Sequence, residues 1–334
     1  MDKKRALITG TTGQDGSYLA ELLLNKNYEI HGILRRVAYE NFDERFSRIK
    51  YILPDIHLHY ASLENYASIC KVVLDVVPNE CYHLAAQSDV AVSFEDEFST
   101  MKINVEGTHN LLSALQMCQK NCKFYFATSS EMFGITKKQK QNENTLFNPQ
   151  SIYGISKVAG FNITKYYREK HKMFACNGIC FNHESPRRGS NFVTRKISDG
   201  VARIKLGLQQ KISLGNLYSA RDWGHAKDYV RAMWLMLQQD IPIDFVIATG
   251  ETHSVRDFVM EAFKNIGIDK WESYVIINEK YKRPLEVPYL RGDASLAHSL
   301  LDWRPTITFK ELVKEMVQAD LERLNHGQET KVIS

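Results

Sequence analysis

No apolar run in the 334 residues reaches the roughly 18–20 that a membrane-spanning helix needs. The opening MDKKRALITG has a basic flank, but the apolar run behind it is too short for the h-region of a secretory signal. A cytosolic (cytoplasmic) setting is the expectation. There are six cysteines: Cys70, Cys81, Cys118, Cys122, Cys176 and Cys180. Two pairs, Cys118/Cys122 and Cys176/Cys180, are separated by three residues, a spacing a metal site could use. The first pair flanks a predicted helix end. The second shares one side of the apolar stretch FACNGICF, so free buried thiols are expected and no metal is assigned. A cytosolic chain of this size needs no disulfide. A strong charge of one sign is missing too. The net charge is +4 and the basic residues are scattered, which argues against a nucleic-acid partner while suiting a small polyphosphate. There is no internal repeat and no linker between independent domains.

What is present is ordinary globular composition, 44% hydrophobic and 25% charged. Short buried strands are predicted at 5–9, 28–34, 58–60, 80–85, 123–127 and 174–181. Helical spacing appears at 16–25, 64–76, 104–119, 226–238 and 310–324. Strands alternating with helices imply an α/β fold with a doubly wound parallel sheet of Rossmann type. A smaller C-terminal substrate part is expected to interleave with it. The expected division assigns 1–181 and about 222–258 to the first part, and about 182–221 with 259–334 to the second. Residues 136–149 are polar and read as an exposed loop; 183–191 also read as a loop.

The first strand runs into Gly10-Thr-Thr-Gly13-Gln-Asp-Gly16, which opens the first helix. Glycines there let the backbone turn tightly and approach a pyrophosphate resting on the helix N-terminus. The second strand ends in Arg35-Arg36 where an NAD enzyme usually has an acidic residue. Guanidinium groups suit a 2′-phosphate, so NADP is the expected cofactor. The alternative is a solvated basic turn. Small residues in Ala85-Ala86 leave room for the same ligand.

Tyr153 and Lys157 are four positions apart and share a helix face. An ammonium beside a phenol is expected to lower its pKa from about 10 and let it take a sugar hydroxyl proton. The cluster Thr128-Ser129-Ser130-Glu131 follows the fifth strand. Ser129 could bond the reacting oxygen. Glu131 is informative because a simple reductase or epimerase needs no second base, whereas a dehydratase must remove a proton made acidic by a neighbouring ketone. The plain alternative is a helix cap or a surface ion pair.

At these residues the chain resembles the extended short-chain dehydrogenases/reductases. HESPRRG (183–189), NFVTRKI (191–197), GNL (215–217), RDWGHA (221–226) and ATGETHSVR (248–256) narrow the resemblance to GDP-mannose 4,6-dehydratases over essentially the whole chain. The resemblance implies a lyase of nucleotide-sugar metabolism, NADP, and a homo-oligomer (dimer or tetramer). It implies a catalytic set of Ser129, Glu131, Tyr153 and Lys157. The implied cofactor set comprises Gly10, Thr11, Thr12, Gly13, Gln14, Asp15, Gly16, Arg35, Arg36, Ser62, Leu63, Leu84, Ala85, Ala86, Gln87, Ser88, His183 and Arg188, with Tyr153 and Lys157. The implied sugar-nucleotide set is Ser88, Asn182, Asn191, Lys196, Arg221, Arg283 and Glu286. Arg188, Arg221, Arg283 and Lys196 are expected at the diphosphate and ribose. The chain departs from the family pattern at Ser129, where Thr is frequent, at Phe133, where Tyr is frequent, in a short stretch before Tyr281, and in 37–44, which is not serine-rich.

The implied cycle has three steps. Tyr153 takes the O4 proton as the C4 hydride passes to NADP; Glu131 removes the C5 proton and the C6 hydroxyl departs as water; the hydride returns to C6 and C5 is reprotonated. The product is GDP-4-keto-6-deoxymannose, with no net redox. Alternatives left open are the same reaction on a GDP-manno-heptose, an NADP-dependent nucleotide-sugar oxidoreductase or epimerase, and a non-catalytic NADP-binding protein.

Overall fold

The computed structural model describes residues 3–38, 41–281 and 285–332. Seven strands form one parallel sheet: β1 (Arg5–Thr9), β2 (Glu29–Leu34), β3 (Ile56–Tyr60), β4 (Glu80–His83), β5 (Lys123–Ser129), β6 (Ala175–Cys180) and, after four short strands, β11 (Phe245–Ile247). Their spatial order is β11-β6-β5-β4-β1-β2-β3. The order reverses between β1 and β4, and that switch point is where an open α/β sheet offers a ligand crevice. The intervening short strands are β7 (Asn182–Glu184), β8 (Ile212–Leu214), β9 (Ala220–Arg221) and β10 (Trp223–His225); β12 (His253–Ser254) and β13 (Val275–Ile277) follow. They pair β7 with β10, β8 with β13 and β9 with β12, outside the main sheet.

The principal helices are α1 (Gln14–Asn25), α2 (Phe42–Phe46), α3 (Tyr66–Val76), α4 (Val92–Glu95), α5 (Glu97–Met101), α6 (Gly107–Cys118), α7 (Ile152–His171), α8 (Val193–Lys205), α9 (Ala226–Leu237), α10 (Val255–Lys264), α11 (Ser295–Leu301) and α12 (Phe309–Val332). A π-helical turn, Lys102–Glu106, leads into α6. One sheet face is covered by α1, α9 and α11 through Leu19, Leu23, Met233, Leu237, Ala297 and Leu301. The other is covered by α3, α6 and α7 through Val72, Val73, Leu111, Leu115 and Tyr167. A third core joins α8, α10 and α12 around Ile197, Val201, Phe258, Phe263, Leu312 and Met316. Burial of these apolar faces, at roughly 25 cal/mol per Å², is the main force holding the helices down.

The expected division of the chain differs from this packing in two places. A boundary at 258 would cut α10, which packs as a unit in the third core, while α11 and Trp303 pack with the sheet. Residues 136–149 are also less exposed than their polarity predicts. Gln141 is fully buried, and its amide, carbonyl and side chain all bond Arg291 and Asp293. Glu143 accepts the amide of Val246. The polarity of this loop serves hydrogen bonds to neighbouring strands rather than to solvent. The stretch 183–191 begins as strand β7 before it turns. Among the described residues no helix is long and apolar enough to cross a membrane.

Candidate active site

A cleft of about 820 Å3 opens where β1, β4 and β5 end and the third core faces them. Its floor is the glycine turn. Gly10 has φ +76°, and a Cβ there would lie 3.0 Å from the amide nitrogen of Ala85. A Cβ on Gly16 would meet the carbonyl oxygen of Gly10 at 2.2 Å. Gly13 caps α1 without any side-chain hydrogen bond, which leaves the positive end of the helix to an outside anion. Ala85, Ala86 and Ser88 form the adjoining wall. Backbone approach, an uncapped helix end and small neighbours fit a dinucleotide pyrophosphate. Gly16→Ala is expected to weaken dinucleotide binding by about ten- to a hundredfold, the equivalent of a 1–3 kcal/mol clash. A fluorescence titration checks this, and an unchanged Kd would refute the close-approach role.

The turn is fastened across the cleft. His183 Nε2 lies 2.8 Å from Asp15 Oδ2, and Gln14 Nε2 donates to the His183 carbonyl at 3.0 Å. Burial pushes His183 down, but the Asp15 carboxylate and its hydrogen bond prevail and hold the imidazole above 6.5. Burial likewise raises Asp15, and the His183 charge more than offsets it, holding the carboxyl below 3.8. The raised histidine therefore stabilises the fold below pH 6.5, and that stability is lost as pH rises through its folded pKa. The depressed aspartate stabilises the fold above pH 3.8, and that part is lost as pH falls through its own. Thermal stability should be greatest between these limits and decline above pH 6.5. In Asp15→Asn the decline should flatten; an identical pH dependence of Tm in the two proteins would contradict the pairing.

The catalytic candidates converge. Ser129 ends β5, and its Oγ accepts the amide of Glu131 at 3.2 Å, starting a 3-10 turn over Ser130–Met132. Ser151 caps α7 by accepting the amide of Gly154 at 3.0 Å, which sets Tyr153 and Lys157 on the first turns of that helix. Glu131 is 8% exposed, so it is no surface ion pair; Arg221 Nε is 3.9 Å from its Oε1. Ser129 and Tyr153 both line the cleft beside Glu131. Lys157 Nζ donates to the Ala127 carbonyl at 2.7 Å and lies 5.8 Å from the centre of the Tyr153 ring.

The expected lowering of the phenol by Lys157 is not found. Burial pushes Tyr153 up to about 12; the Ser129 bond opposes this and the Glu131 carboxylate adds to it. Burial also brings Lys157 down to about 8. Both groups resist charge because they are dry, and the ammonium points at a carbonyl rather than at the phenol. As it stands, Tyr153 is a neutral phenol and must give up its own proton before it can take one from a sugar hydroxyl.

Of the remaining predicted residues, Thr12, Leu84, Arg188, Asn182, Asn191, Lys196, Arg221 and Glu286 also line the cleft. Arg188 pairs with Glu184 at 3.1 Å and lies over the Phe192 ring. Asn191 donates to Asp89 across the cleft. Lys196 Nζ sits 4.1 Å from the centre of the Tyr281 ring. Arg221 Nη1 is spent on the carbonyls of Val287 and Ala220, and its Nη2 is 3.7 Å from Glu286.

Others are placed elsewhere. Thr11 is buried against the Ile8 carbonyl. Gln87 turns its amide to Asp89 and Thr100. Leu63 packs on Gly107, and Ser62 caps the amide of Glu64. Arg35 and Arg36 are exposed beyond the cleft wall, with Arg36 4.9 Å from the centre of the Tyr60 ring. Arg283 lies outside the described residues.

Sequence reasoning missed Arg48, which donates to the carbonyls of Arg187 at 2.7 Å and Thr12 at 3.3 Å and so clamps the glycine turn. It also gave no role to Asn216 and Tyr281, which line the cleft. The segment GNL around Asn216 was a usable signal; Arg48 had none. Among the described residues no cluster of histidine, cysteine and carboxylate side chains is arranged to hold a metal.

The sequence model described as GDP-mannose 4,6 dehydratase matches residues 7–316. GDP-mannose 4,6 dehydratase of Drosophila melanogaster is 49% identical, over 96% of this chain and 86% of that protein. The Homo sapiens protein of that name is 48% identical over 95% and 91%, and the Vibrio cholerae protein 45% over 96% and 94%. Among solved structures, UDP-glucose 4-epimerase of Thermotoga maritima superposes with a TM-score of 0.84 at 22% identity, covering 96% of this chain and 99% of the other. dTDP-glucose 4,6-dehydratase (DesIV) of Streptomyces venezuelae, with NAD bound, gives 0.84 at 20% identity, covering 97% and 98%. These structures share the fold. The sequence model over residues 7–316 and the relatives at 45–49% identity show that the chain belongs to the GDP-mannose 4,6-dehydratase family.

Proposed function

We infer that this chain is a hydro-lyase that dehydrates GDP-mannose to GDP-4-keto-6-deoxymannose, using a nicotinamide dinucleotide that ends each cycle unchanged. Glu131 carries this reading. It is a buried carboxylate in the same cleft as Ser129, Tyr153 and Lys157, where a purely redox enzyme needs no second base. When bound, the cofactor supplies a hydride acceptor and, in its oxidised form, a positive charge. Tyr153 and Ser129 orient the O4 hydroxyl and hold its proton. Glu131 removes the C5 proton, and Arg221, anchored on the Val287 carbonyl, keeps that carboxylate oriented. Lys196 and Arg188 are the cations placed for the diphosphate.

The reading extends to NADP. Arg35 and Arg36 directly follow β2, and Arg45 donates to the Arg35 carbonyl beside them. It also includes a homo-oligomer in the cytosol. Light scattering tests the oligomer.

The deciding assay incubates the purified protein with GDP-mannose and no added reductant. Mass spectrometry should find a product lighter by one water, with no net change in nicotinamide absorbance. Intact GDP-mannose, or stoichiometric oxidation or reduction of the cofactor, would overturn the reading. GDP-manno-heptose in the same assay ranks the two sugars.

A further inference from the structure

Behind the cleft, out of reach of any ligand, lies a chain of polar side chains that the reaction does not use. His83 is 1% exposed at the end of β4, stacked 5.3 Å from the ring of Phe126. Its Nδ1 is 2.8 Å from Thr9 Oγ1, and its Nε2 is 3.1 Å from Thr108 Oγ1. Thr9, Thr108 and Ser156 are fully buried and Asn104 is 2% exposed.

The direction of each bond follows from its neighbours. Thr9 Oγ1 accepts the amides of Leu84 and Ala85, both at 3.0 Å. Those two bonds fill its lone pairs, so its one proton goes to His83 Nδ1. The ring proton is therefore on Nε2 and is donated to Thr108. Thr108 in turn donates to the carbonyl of Asn104 at 2.6 Å, within the π-turn. Asn104 spends its side chain on both sides. Its Oδ1 accepts the amide of Gln87 at 2.8 Å, and its Nδ2 donates to the Gln87 carbonyl and to Ser156 Oγ, each at 3.0 Å. Ser156 finally donates to the carbonyl of Tyr153 at 2.7 Å. The chain thus grips the 84–87 loop at both ends and finishes on the backbone of the catalytic tyrosine. A π-turn at its middle is the kind of helix irregularity that recurs at functional sites.

Burial and the nearby Lys157 push His83 down to about 3, so the imidazole stays neutral at working pH and keeps one tautomer. A neutral ring with one acceptor and one donor nitrogen is a spacer of fixed polarity.

We propose that His83 is a positioning residue: through Thr9 on one side and Thr108–Asn104–Ser156 on the other, it sets the spacing between the 84–87 cofactor loop and Tyr153. The inference rests on the dehydratase reading of the cleft. It concerns the chemical steps and the cofactor, not the grip on the sugar nucleotide.

The test uses Thr108→Val, which removes one hydroxyl from a helix without changing volume, and His83→Asn, whose amide oxygen replaces Nδ1 but cannot reach Thr108. The full-length proteins are assayed with GDP-mannose, and dinucleotide binding is measured separately by tryptophan fluorescence. Both variants should lose kcat by about tenfold, as expected for misplacement of reacting groups by a fraction of an ångström, with KM for GDP-mannose within about twofold. Cofactor Kd should rise in both. The double variant should be no worse than His83→Asn, because both break the same link. If His83→Asn does not fold, Thr108→Val alone carries the test. A folded Thr108→Val with wild-type kcat and cofactor Kd would overturn the proposal, as would equal losses in kcat and GDP-mannose affinity. Wild-type protein unable to dehydrate GDP-mannose would instead refute the underlying reading of the cleft.

Discussion

Glu131→Gln is expected to reduce dehydration by about 10²–10⁴-fold, the usual contribution of a positioned acid or base. Glutamine has the same shape and stays within reach of Arg221, whose Nε is 3.9 Å from the carboxylate. The side chain remains buried, so packing should survive and cofactor affinity should not change. What disappears is the ability to accept the C5 proton. The clearest readout is solvent exchange: in heavy water the wild-type product should carry deuterium at C5, and the variant should leave C5 protonated in any sugar recovered. Turnover by Glu131→Gln within about tenfold of wild type would assign the base elsewhere.

Tyr153→Phe should be comparably severe, with a loss of about 10³-fold in kcat. The ring is 9% exposed and sits in the first turn of α7, where the Ser151 cap fixes it. Phenylalanine keeps that packing and removes only the hydroxyl. The first hydrogen removal at C4 then has no proton acceptor. Unlike Glu131→Gln, this variant should block the cycle before the C5 proton becomes acidic, so neither product nor C5 exchange should form. Circular dichroism and dinucleotide binding like those of wild type would show that the fold is kept. Activity within about tenfold of wild type would remove Tyr153 from its role.

The main sheet was readable because its strands are short apolar runs punctuated by glycine turns and helices, and each of the six predicted strands forms. The seventh, Phe245–Ile247, was not predicted: three buried residues carry no period. The helix Val193–Lys205 was hidden by an interior that mixes basic residues, Ser198, Asp199 and Gly200. At the site, Gly10 to Gly16, Ser129, Glu131, Tyr153 and Lys157 were legible because local spacing carries their chemistry. The electrostatics were not. Burial, which overrides the expected Lys157 effect on Tyr153, is set by packing among distant segments. No local pattern places Arg221 beside Val287 and Glu131; the fold does. The His83 chain joins residues up to 76 positions apart, counting Thr9 to Ala85, and no window of sequence contains it.

The most direct test of an internally closed dehydration follows one hydrogen. GDP-mannose deuterated at C4 is incubated with the purified protein in ordinary water, and the product is examined by NMR and mass spectrometry. Transfer of the label to C6 of the same sugar, with no deuterium in the medium or in free nicotinamide, is the predicted result. Loss of the label from the sugar, or its recovery on released cofactor, would contradict it.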